Sequence, residues 1–510
     1  MIKNAPLKTV LALATCAAIL VAYRRYVDST KGINPGIFQE ARKLPPWPRR
    51  PLPPHTDDTD PQDAQKSKVH THGNKPYVSN YFIDSSGNMS AFYARLHALE
   101  LPPTAGVQPV VSVLHYGDSP TTADLITGDV RSMLQQRFGN AGDGFLLTAK
   151  PWAWYQHRGI TLVDKGWNIS TAVGKGHDEV YGLGGASFEG GTTASAHIVL
   201  EGTQQGSMEI SYLSRPGGGE LSVLANGTRV DSFSTASETA QPAWHTVTLP
   251  ADAKTIDLKP VSGPVKLFGE TFRTGKQGVL YNSLGLNGAS TTVLSNGFNP
   301  DIWATELQHE QPMLVIINYG TNESSSGPYV DKQYEITLRA SIRRVRNALP
   351  GVPVLVMSPM DRGRREGVDE IETYDTIPRI VAIQKRVAAE LNCAFFDTFD
   401  AMGGDGTMAR WYNGHPRLVA GDLIHPTPQG AAMVAQLLVK DLLTGYDHYL
   451  QQQTAAPATT TPQTEPVQTD QPPATPPTEP APSQPVPAQP ASPQPADVPP
   501  VTPASKPPEA

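Results

Sequence analysis

Two separated parts of the chain show predicted strands that alternate with helices. An apolar, β-branched run at residues 111–117 precedes a helix-like segment at residues 122–138. In the later part the pattern resumes at residues 278–290, with predicted strands at 313–318, 352–358 and 393–396 and predicted helices at about 331–347, 377–390 and 428–443. Such alternation is typical of a parallel sheet covered by helices on both faces. We therefore predict a three-layer α/β/α fold with a mostly parallel sheet, to which both parts contribute.

Residues 151–274, between these two parts, have a different pattern. Helical periodicity is absent, and short alternating runs are separated by Gly-rich turns such as residues 215–219. Closely spaced short strands of this kind indicate a β-sandwich or jelly roll. We predict that residues 151–274 form a jelly-roll-like β-sandwich domain, inserted into an α/β domain made of residues 81–150 and 275–450.

Both ends of the chain differ in composition from the middle. Residues 1–27 combine Lys3 and Lys8 with an apolar run that Arg24 and Arg25 close, which predicts an uncleaved signal anchor, or alternatively a cleaved signal peptide. Residues 28–80 and 451–510 are rich in proline and predict a disordered linker and a disordered tail. We expect a protein of the periplasm or cell envelope that associates with the inner membrane through its N-terminal segment.

The charge balance limits the classes of partner. The chain has 41 basic and 48 acidic residues, a net charge of −7, and so shows no basic footprint for nucleic acid. No His/Cys cluster has the spacing of metal ligands, so we predict no metal site and no cofactor.

The tripeptide Gly117-Asp118-Ser119 stands where the first predicted strand ends and a helix follows. In open α/β sheets, ligands bind in the crevice at the carboxyl ends of the strands. A serine hydroxyl there becomes a nucleophile when a base takes its proton. His425, in an Asp-x-x-His sequence before the last predicted helix, is the candidate base, and Asp422 is the carboxylate that orients it. Each of these residue types also occurs in structural roles, so only the complete set of three indicates catalysis.

Acyl transfer also needs hydrogen-bond donors for the developing oxyanion. The candidates are the side-chain amide of Asn322, which follows a predicted strand, and the backbone N–H groups of Gly288 and Ser119. We therefore predict an oxyanion hole formed by Ser119, Gly288 and Asn322.

The order of these motifs resembles that of the SGNH/GDSL hydrolase family. The matching segments are Gly117-Asp118-Ser119, Gly288, Gly320-Thr321-Asn322-Glu323 and Asp422 to His425. Gly285 is the alternative match to the second motif, and Gly288 is the better one. Within that family the chain is similar to periplasmic peptidoglycan O-acetylesterases, which carry a carbohydrate-module-like β-domain between the first two motifs. It departs from them at Pro120, where those enzymes commonly have histidine.

The resemblance implies a metal-independent serine esterase with a catalytic triad of Ser119, His425 and Asp422. The expected reaction is removal of O-acetyl groups from an envelope glycan, with O-acetylated peptidoglycan as the first candidate substrate. Three alternatives stay open: a glycan O-acetyltransferase with the same triad, a lipase or thioesterase, and a non-catalytic wall-binding protein. The transferase differs only in the acceptor of the acyl group, and the complete triad argues against the last alternative.

Overall fold

A computed structural model of the chain describes residues 77–102, 108–174, 180–367 and 370–455. The predicted signal anchor, most of the predicted linker and almost all of the predicted tail lie outside these ranges. Within the described residues, none of the helices combines the length and apolar content needed to cross a bilayer.

Seven strands of the described residues form one mixed sheet. In spatial order they are β1 (Tyr77–Val78), β2 (Phe82–Asp84), β20 (Ala394–Phe396), β17 (Val354–Met357), β16 (Leu314–Asn318), β3 (Val110–Gly117) and β15 (Gly278–Gly285). The last five strands in this order run parallel to one another. Strand β2 is antiparallel to both of its neighbours, β20 and β1. Because β3 lies between β15 and β16, both parts of the chain build the same sheet.

Helices cover both faces of this sheet. Since side chains alternate along a strand, Val111 and Val113 of β3 enter one hydrophobic core, and Leu114 and Tyr116 enter the other. The described helices are α1 (Ser90–Ala98), α2 (Ser119–Thr122), α3 (Leu125–Phe138), α4 (Pro300–Glu310), α5 (Gly327–Tyr329), α6 (Glu335–Ala348), α7 (Thr376–Glu390), α8 (Thr398–Ala401), α9 (Thr407–Asn413) and α10 (Pro428–Ala455), with shorter turns at Val293–Gly297, Glu323–Ser325 and Val330–Tyr334. Side chains of α1, α3 and α10 fill the first core, and those of α4, α6 and α7 fill the second.

Two antiparallel sheets follow α3 in the described part of the chain. One has the order β11 (Thr228–Ser234), β10 (Glu220–Ala225), β13 (Thr255–Ser262), β8 (Ser195–Leu200), β5 (Ile160–Lys165). The other has the order β12 (Gln241–Thr248), β9 (Ser207–Ser214), β14 (Val265–Arg273), β7 (Ala186–Gly190), β6 (Asn168–Thr171), and β4 (Gly144–Leu146) pairs with β14. A separate hairpin consists of β18 (Gly363–Glu366) and β19 (Glu370–Thr373).

The two antiparallel sheets pack on each other and on the α/β domain. Ile198 of one sheet and Ile210 of the other belong to the same continuous core as Trp303 of α4. The prediction of a three-layer α/β/α domain with a mostly parallel sheet is confirmed, and the antiparallel sheets fit an inserted β-domain. Their pairing already includes β4, which precedes residue 151, the expected start of the insertion.

The segment after Ser119 differs in detail from the single helix expected at residues 122–138. It forms two helices, α2 and α3, with a break at Asp124, where φ is +49°. The buried Asp124 carboxylate accepts hydrogen bonds from Thr127 Oγ1 at 2.7 Å and from the Arg158 backbone N–H at 2.8 Å. These contacts, one of them to the inserted region, stabilise a left-handed residue that local helix propensity disfavours.

The last helix is longer than expected. We predict its end near residue 443, whereas α10 continues to Ala455, beyond the predicted start of the tail at residue 451. The extension is packed at Tyr446, which is 1% exposed and lies edge-on to Phe138 at 5.4 Å. Its hydroxyl donates to Glu100 Oε2 at 2.6 Å. Tertiary burial therefore continues the helix past the point where the sequence pattern weakens.

Candidate active site

Ser119 lies at the carboxyl end of β3, as the first residue of α2. Asp118 precedes it with φ −99° and ψ −144°, which turns the chain sharply out of the strand. Pro120 occupies the second helical position and is buried, and proline is tolerated there because the first turn of a helix leaves its N–H groups unbonded. The half-buried Ser119 side chain is thus placed at the edge of the sheet where parallel strands end.

His425 meets Ser119 from the loop that precedes α10. Its Nε2 atom lies 2.8 Å from Ser119 Oγ. A hydrogen bond of 2.8 Å from the Ala420 N–H to the His425 carbonyl, and a bridge between Val419 and Pro426, hold this loop. The predicted nucleophile and base, 306 residues apart in sequence, are therefore within hydrogen-bond distance.

Asp422 holds the other side of the imidazole. Its Oδ2 is 2.6 Å from His425 Nδ1, and its Oδ1 accepts from the backbone N–H groups of Ile424 at 3.0 Å and His425 at 3.1 Å. Burial by itself raises the pKa of Asp422, but these hydrogen bonds outweigh it and lower the pKa below the usual value. The ionised carboxylate only accepts, so Nδ1 carries the proton and Nε2 is free to accept from Ser119.

The Asp422–His425 pair is open to solvent. The side chain of His425 is 41% exposed and that of Asp422 is 45% exposed. The triad geometry is therefore present at an accessible surface rather than at the bottom of a closed cavity.

Asn322 follows β16 and faces the loop that contains Gly288. Its Nδ2 donates to the carbonyl oxygen of Ala289 at 2.8 Å. A carboxamide nitrogen has two hydrogens, so one orients the side chain and the second is available for another acceptor. Asn322 thus has the chemistry expected of an oxyanion donor.

The two candidate glycines have different surroundings. Gly288 is exposed, its φ is +75°, and a Cβ atom there would have Val173 Cγ1 at 3.8 Å as its neighbour. A Cβ atom at Gly285 would lie 2.1 Å from the backbone nitrogen of Thr122. Gly285 is therefore required for the close packing of α2 on β15, whereas the accessible loop position belongs to Gly288.

The candidate site also depends on residues to which the sequence assigns no role. Glu323 accepts from Thr291 N–H at 2.8 Å and from Gly320 N–H at 3.1 Å, and so joins the loops of Gly288 and Asn322. Burial raises the pKa of Glu323, and these hydrogen bonds oppose the rise. Its place in the Gly-x-Asn-Glu motif is a signal that could have marked it.

Arg362 supports the Asn322 loop from another segment. Its Nη1 donates to the Thr321 carbonyl and to Ser324 Oγ, both at 2.9 Å, and its guanidinium lies 4.5 Å from the ring centroid of Tyr374. No local motif identifies Arg362, because its partners are about 40 residues earlier in the chain.

Asp118, next to the nucleophile, is 4% exposed. Burial raises its pKa to about 7, and the nearby Glu323 carboxylate adds to the rise, while a hydrogen bond with Thr321 and the proximity of His425 oppose it. This carboxyl group therefore titrates near neutral pH beside the candidate active site.

No group of three or more His, Cys, Asp or Glu side chains in the described ranges is arranged to hold a metal ion. The chemistry that the arrangement supports is proton transfer from Ser119 to His425 and nucleophilic attack at an acyl carbon.

Residues 261–433 match the model of the GDSL-like lipase/acylhydrolase family. This range contains Gly288, Asn322, Asp422 and His425, whereas Ser119 lies before the β-rich region and outside the match. No curated protein sequence matches the chain.

Solved structures give a similar result. A peptidoglycan O-acetylesterase matches with a TM-score of 0.59 and 21% identity, over 70% of this chain and 96% of that one. A protein from Bacillus subtilis (TM-score 0.29, 14% identity, 56% and 90% coverage) and a salicylyl-acyltransferase from a tetracycline biosynthetic pathway (TM-score 0.26, 13% identity, 57% and 98% coverage) match too weakly to support a conclusion. The first match shows a shared fold. Together with the match of residues 261–433 to the family model, it confirms the predicted resemblance to the GDSL-like lipase/acylhydrolase family.

Proposed function

We propose that this protein is a serine esterase that removes O-acetyl groups from an envelope glycan, with O-acetylated peptidoglycan as its substrate. The observation that carries the proposal is the hydrogen-bonded line from Ser119 Oγ to His425, at 2.8 Å, and from His425 to Asp422, at 2.6 Å. A serine, an imidazole and a carboxylate in this order are the parts of an activated nucleophile.

In the first half-reaction, Ser119 Oγ attacks the acetyl carbonyl carbon while His425 Nε2 takes the serine proton. Asp422 stabilises the imidazolium that forms. The negative charge on the carbonyl oxygen is stabilised by hydrogen bonds from the Ser119 and Gly288 N–H groups and the Asn322 amide. The intermediate then collapses: the bond to the sugar oxygen breaks, His425 returns its proton to that oxygen, and the sugar leaves as an alcohol.

The second half-reaction regenerates the enzyme. Water attacks the acetyl carbon on Ser119, and His425 accepts a proton from the water. The bond between the acyl carbon and Ser119 Oγ breaks, the proton moves from His425 to that oxygen, and acetate is released. The cycle needs no oxidant, metal or cofactor for its balance.

Two observations support the choice of substrate. A solved structure that shares the fold over 70% of this chain is that of a peptidoglycan O-acetylesterase. The exposed His425 and Asp422 side chains also suit an ester that projects from a large polymer, because a polymer cannot enter a closed pocket.

The proposal includes the cell envelope as the site of action, with residues 1–27 as an anchor in the inner membrane. The basic residues on both sides of the apolar run support this part. Cell fractionation tests it: the full chain is expected in the membrane fraction, and a chain without residues 1–27 is expected to lose that association. Recovery of the full chain as a free cytoplasmic protein would contradict it.

Acetate release from purified O-acetylated peptidoglycan tests the activity. We expect release by the wild type and none above background by Ser119→Ala. Ser211→Ala is the matched control, because Ser211 Oγ, in the β-rich region, donates to Glu306 of α4 and not to a histidine. Equal release by Ser119→Ala, or greater wild-type activity on O-acetylated xylan than on peptidoglycan, would contradict the proposal.

The acceptor of the acetyl group is tested in the same assay. With an unacetylated glycan present, an esterase releases free acetate, whereas a transferase moves the acetyl group to the added sugar. We expect free acetate as the product, and acetylation of the added glycan would replace the esterase with a transferase.

A further inference from the structure

We infer that Trp154 is a sugar-binding platform beside the candidate oxyanion hole, and that it selects substrates in which the acetyl ester is attached to a sugar ring. This inference rests on the proposed esterase function. It assigns a specificity-determining role to a residue of the β-rich region, outside the four motifs of the hydrolase domain.

Trp154 combines exposure with a fixed orientation. The side chain is 49% exposed, which is unusual for an aromatic side chain of this size. Its indole N–H donates to Asn287 Oδ1 at 3.0 Å. The hydrogen bond restrains the ring while about half of the residue's surface faces solvent. Because such a ring is already ordered, it loses little side-chain entropy when a ligand binds.

The position of Trp154 relates it to the chemistry. Asn287, which holds the indole, is the residue directly before Gly288, the candidate oxyanion donor. Val173 approaches the same glycine, with its Cγ1 atom 3.8 Å from the place that a Cβ at residue 288 would occupy. Apolar side chains from two segments of the β-rich region therefore border the loop that receives the acetyl carbonyl.

The ligand that fits this arrangement is a pyranose ring. One face of such a ring presents C–H groups, and stacking that face on an indole removes apolar surface of both from water. The acetyl carbonyl is held by the donors at Ser119, Gly288 and Asn322, so the neighbouring ring of Trp154 is left to bind the sugar. We therefore expect Trp154 to affect the binding of sugar esters more than the chemical step.

The test compares two substrates that differ in the presence of a sugar. O-acetylated peptidoglycan contains it, and 4-nitrophenyl acetate does not. For Trp154→Ala we expect KM for the glycan to rise about tenfold, because the loss of an aromatic binding contact typically weakens affinity by about this factor. We expect kcat to change much less. Trp154→Phe retains an aromatic face and is expected to recover part of the loss. Val163→Ala, which shortens a side chain that is 60% exposed on β5, is the control and is expected to match the wild type on both substrates.

The inference is wrong if Trp154→Ala lowers kcat/KM by the same factor on both substrates, or on neither, while its thermal unfolding matches that of the wild type. Failure of the proposed function has a different signature, because then the wild type releases no acetate from the glycan. In that case, sedimentation of Ser119→Ala with O-acetylated peptidoglycan still tests the platform. We expect Ser119→Ala to bind and Ser119→Ala/Trp154→Ala to bind more weakly, and equal binding would overturn the inference.

Discussion

In the described part of the chain, the histidine–carboxylate pair of His309 and Glu209, here called the second pair, differs instructively from the pair at Ser119. His309 Nε2, on α4, lies 3.1 Å from Glu209 Oε1, on β9. The His309 ring stacks on Trp244 of β12 at 3.9 Å between the ring centroids. A small cavity at this place is lined by residues of both regions: Phe145, Leu183, Glu209, Ser211, Trp244, Thr271, Glu306, His309 and Glu310.

The two pairs differ in what surrounds them. At the triad, Asp422 holds one imidazole nitrogen of His425 and the Ser119 hydroxyl meets the other. At the second pair, Ser211 donates to Glu306 at 2.7 Å instead of to the histidine. A histidine beside a carboxylate is therefore an insufficient sign of catalysis, and the hydroxyl on the second ring nitrogen makes the difference.

The electrostatics of the two places also differ. Hydrogen bonds lower the pKa of the half-exposed Asp422, although its burial opposes this. In the second place, burial raises the pKa of Glu306 to about 7, despite hydrogen bonds from Ser211 and the Leu183 N–H. Burial also acts to raise the pKa of Glu209, the partner of His309, but the hydrogen bond from His309 and the neighbouring positive charges together outweigh it and the pKa is lowered. The two places therefore differ at Glu306, the carboxyl group that receives the Ser211 hydroxyl, and not in the carboxylate that holds the imidazole.

Replacing each histidine by alanine is the strongest test of whether His425 and His309 differ in function. We expect His425→Ala to lower kcat/KM for 4-nitrophenyl acetate by roughly 10³-fold or more, because the base for Ser119 is lost. His309→Ala is expected to retain the wild-type kcat/KM. Steady-state kinetics measure both variants, with circular dichroism as the check on folding. Equal losses in the two folded variants would show that the hydroxyl contact does not distinguish the pairs.

Two asparagines extend the comparison to the oxyanion donors. Asn322 uses one amide hydrogen on Ala289, whereas Asn318 of β16 donates to the carbonyl groups of both Met357 and Ser358 at 3.1 Å. We expect Asn322→Ala to lower kcat by about 10²–10³-fold, with KM less affected, because an oxyanion donor is lost.

Asn318→Ala is the matched control for this prediction. Its amide is fully used within the fold, so its loss is expected to reduce the free energy of unfolding without a comparable loss of kcat. If folded Asn318→Ala loses more kcat than folded Asn322→Ala, Asn322 is not the oxyanion donor.

A third prediction compares Gly285 with Gly288. A Cβ at Gly285 meets the backbone of α2 at 2.1 Å, so Gly285→Ala must displace the helix that begins at Ser119. We expect a loss of about 1–3 kcal/mol in the free energy of unfolding, measured by urea denaturation, together with reduced activity. A Cβ at Gly288 makes only an ordinary contact with Val173 Cγ1 at 3.8 Å, so Gly288→Ala is expected to cost about 1 kcal/mol for its positive φ. A Gly285→Ala protein as stable as the wild type would contradict the packing argument.

These comparisons show which parts of the molecule local sequence determines. The strand at Leu314–Asn318 is a continuous apolar, β-branched run, and the Asp422–His425 contact spans three residues within one turn, so both follow from local pattern. The order of strands, polar turns and helices also determines the α/β/α class. The candidate catalytic motifs therefore follow from local sequence.

Other features depend on contacts between distant segments. The contact of Ser119 with His425, the hydrogen bond from Asn322 to Ala289 and that from Trp154 to Asn287 each join parts of the chain that local pattern does not relate. The break at Asp124 is stabilised by Arg158, which lies in another segment. Hydrogen bonds between distant segments override local helix propensity at such positions, and the local sequence does not reveal them.

The smallest expected effect concerns a buried carboxyl group on β14. Glu270 is 0% exposed and accepts from Thr148 Oγ1 at 2.6 Å, and its second oxygen, Oε2, has no hydrogen-bond partner among the described residues. Burial raises its pKa from the ordinary 4.5 to about 8, although the Thr148 hydrogen bond opposes this. Between these pH values the folded state binds more protons than the unfolded state, so this group makes the free energy of unfolding fall as pH rises from 4.5 to 8.

Glu270→Gln removes this ionisation and retains an oxygen that accepts from Thr148. Because other buried groups titrate as well, the informative quantity is the difference between variant and wild type in urea unfolding at pH 6 and pH 9. We expect that difference to move in favour of the variant by about 1 kcal/mol or more at the higher pH. Asp422→Asn is the control: because the pKa of Asp422 is lowered from its ordinary 3.8, its carboxylate is ionised in the folded and unfolded states at both pH values, and its difference from the wild type is expected to be the same at pH 6 and pH 9. If the difference in free energy of unfolding between Glu270→Gln and the wild type is the same at both pH values, the folded protein accommodates the Glu270 charge. The electrostatic contrast between the open triad and the buried carboxyl groups then does not include Glu270.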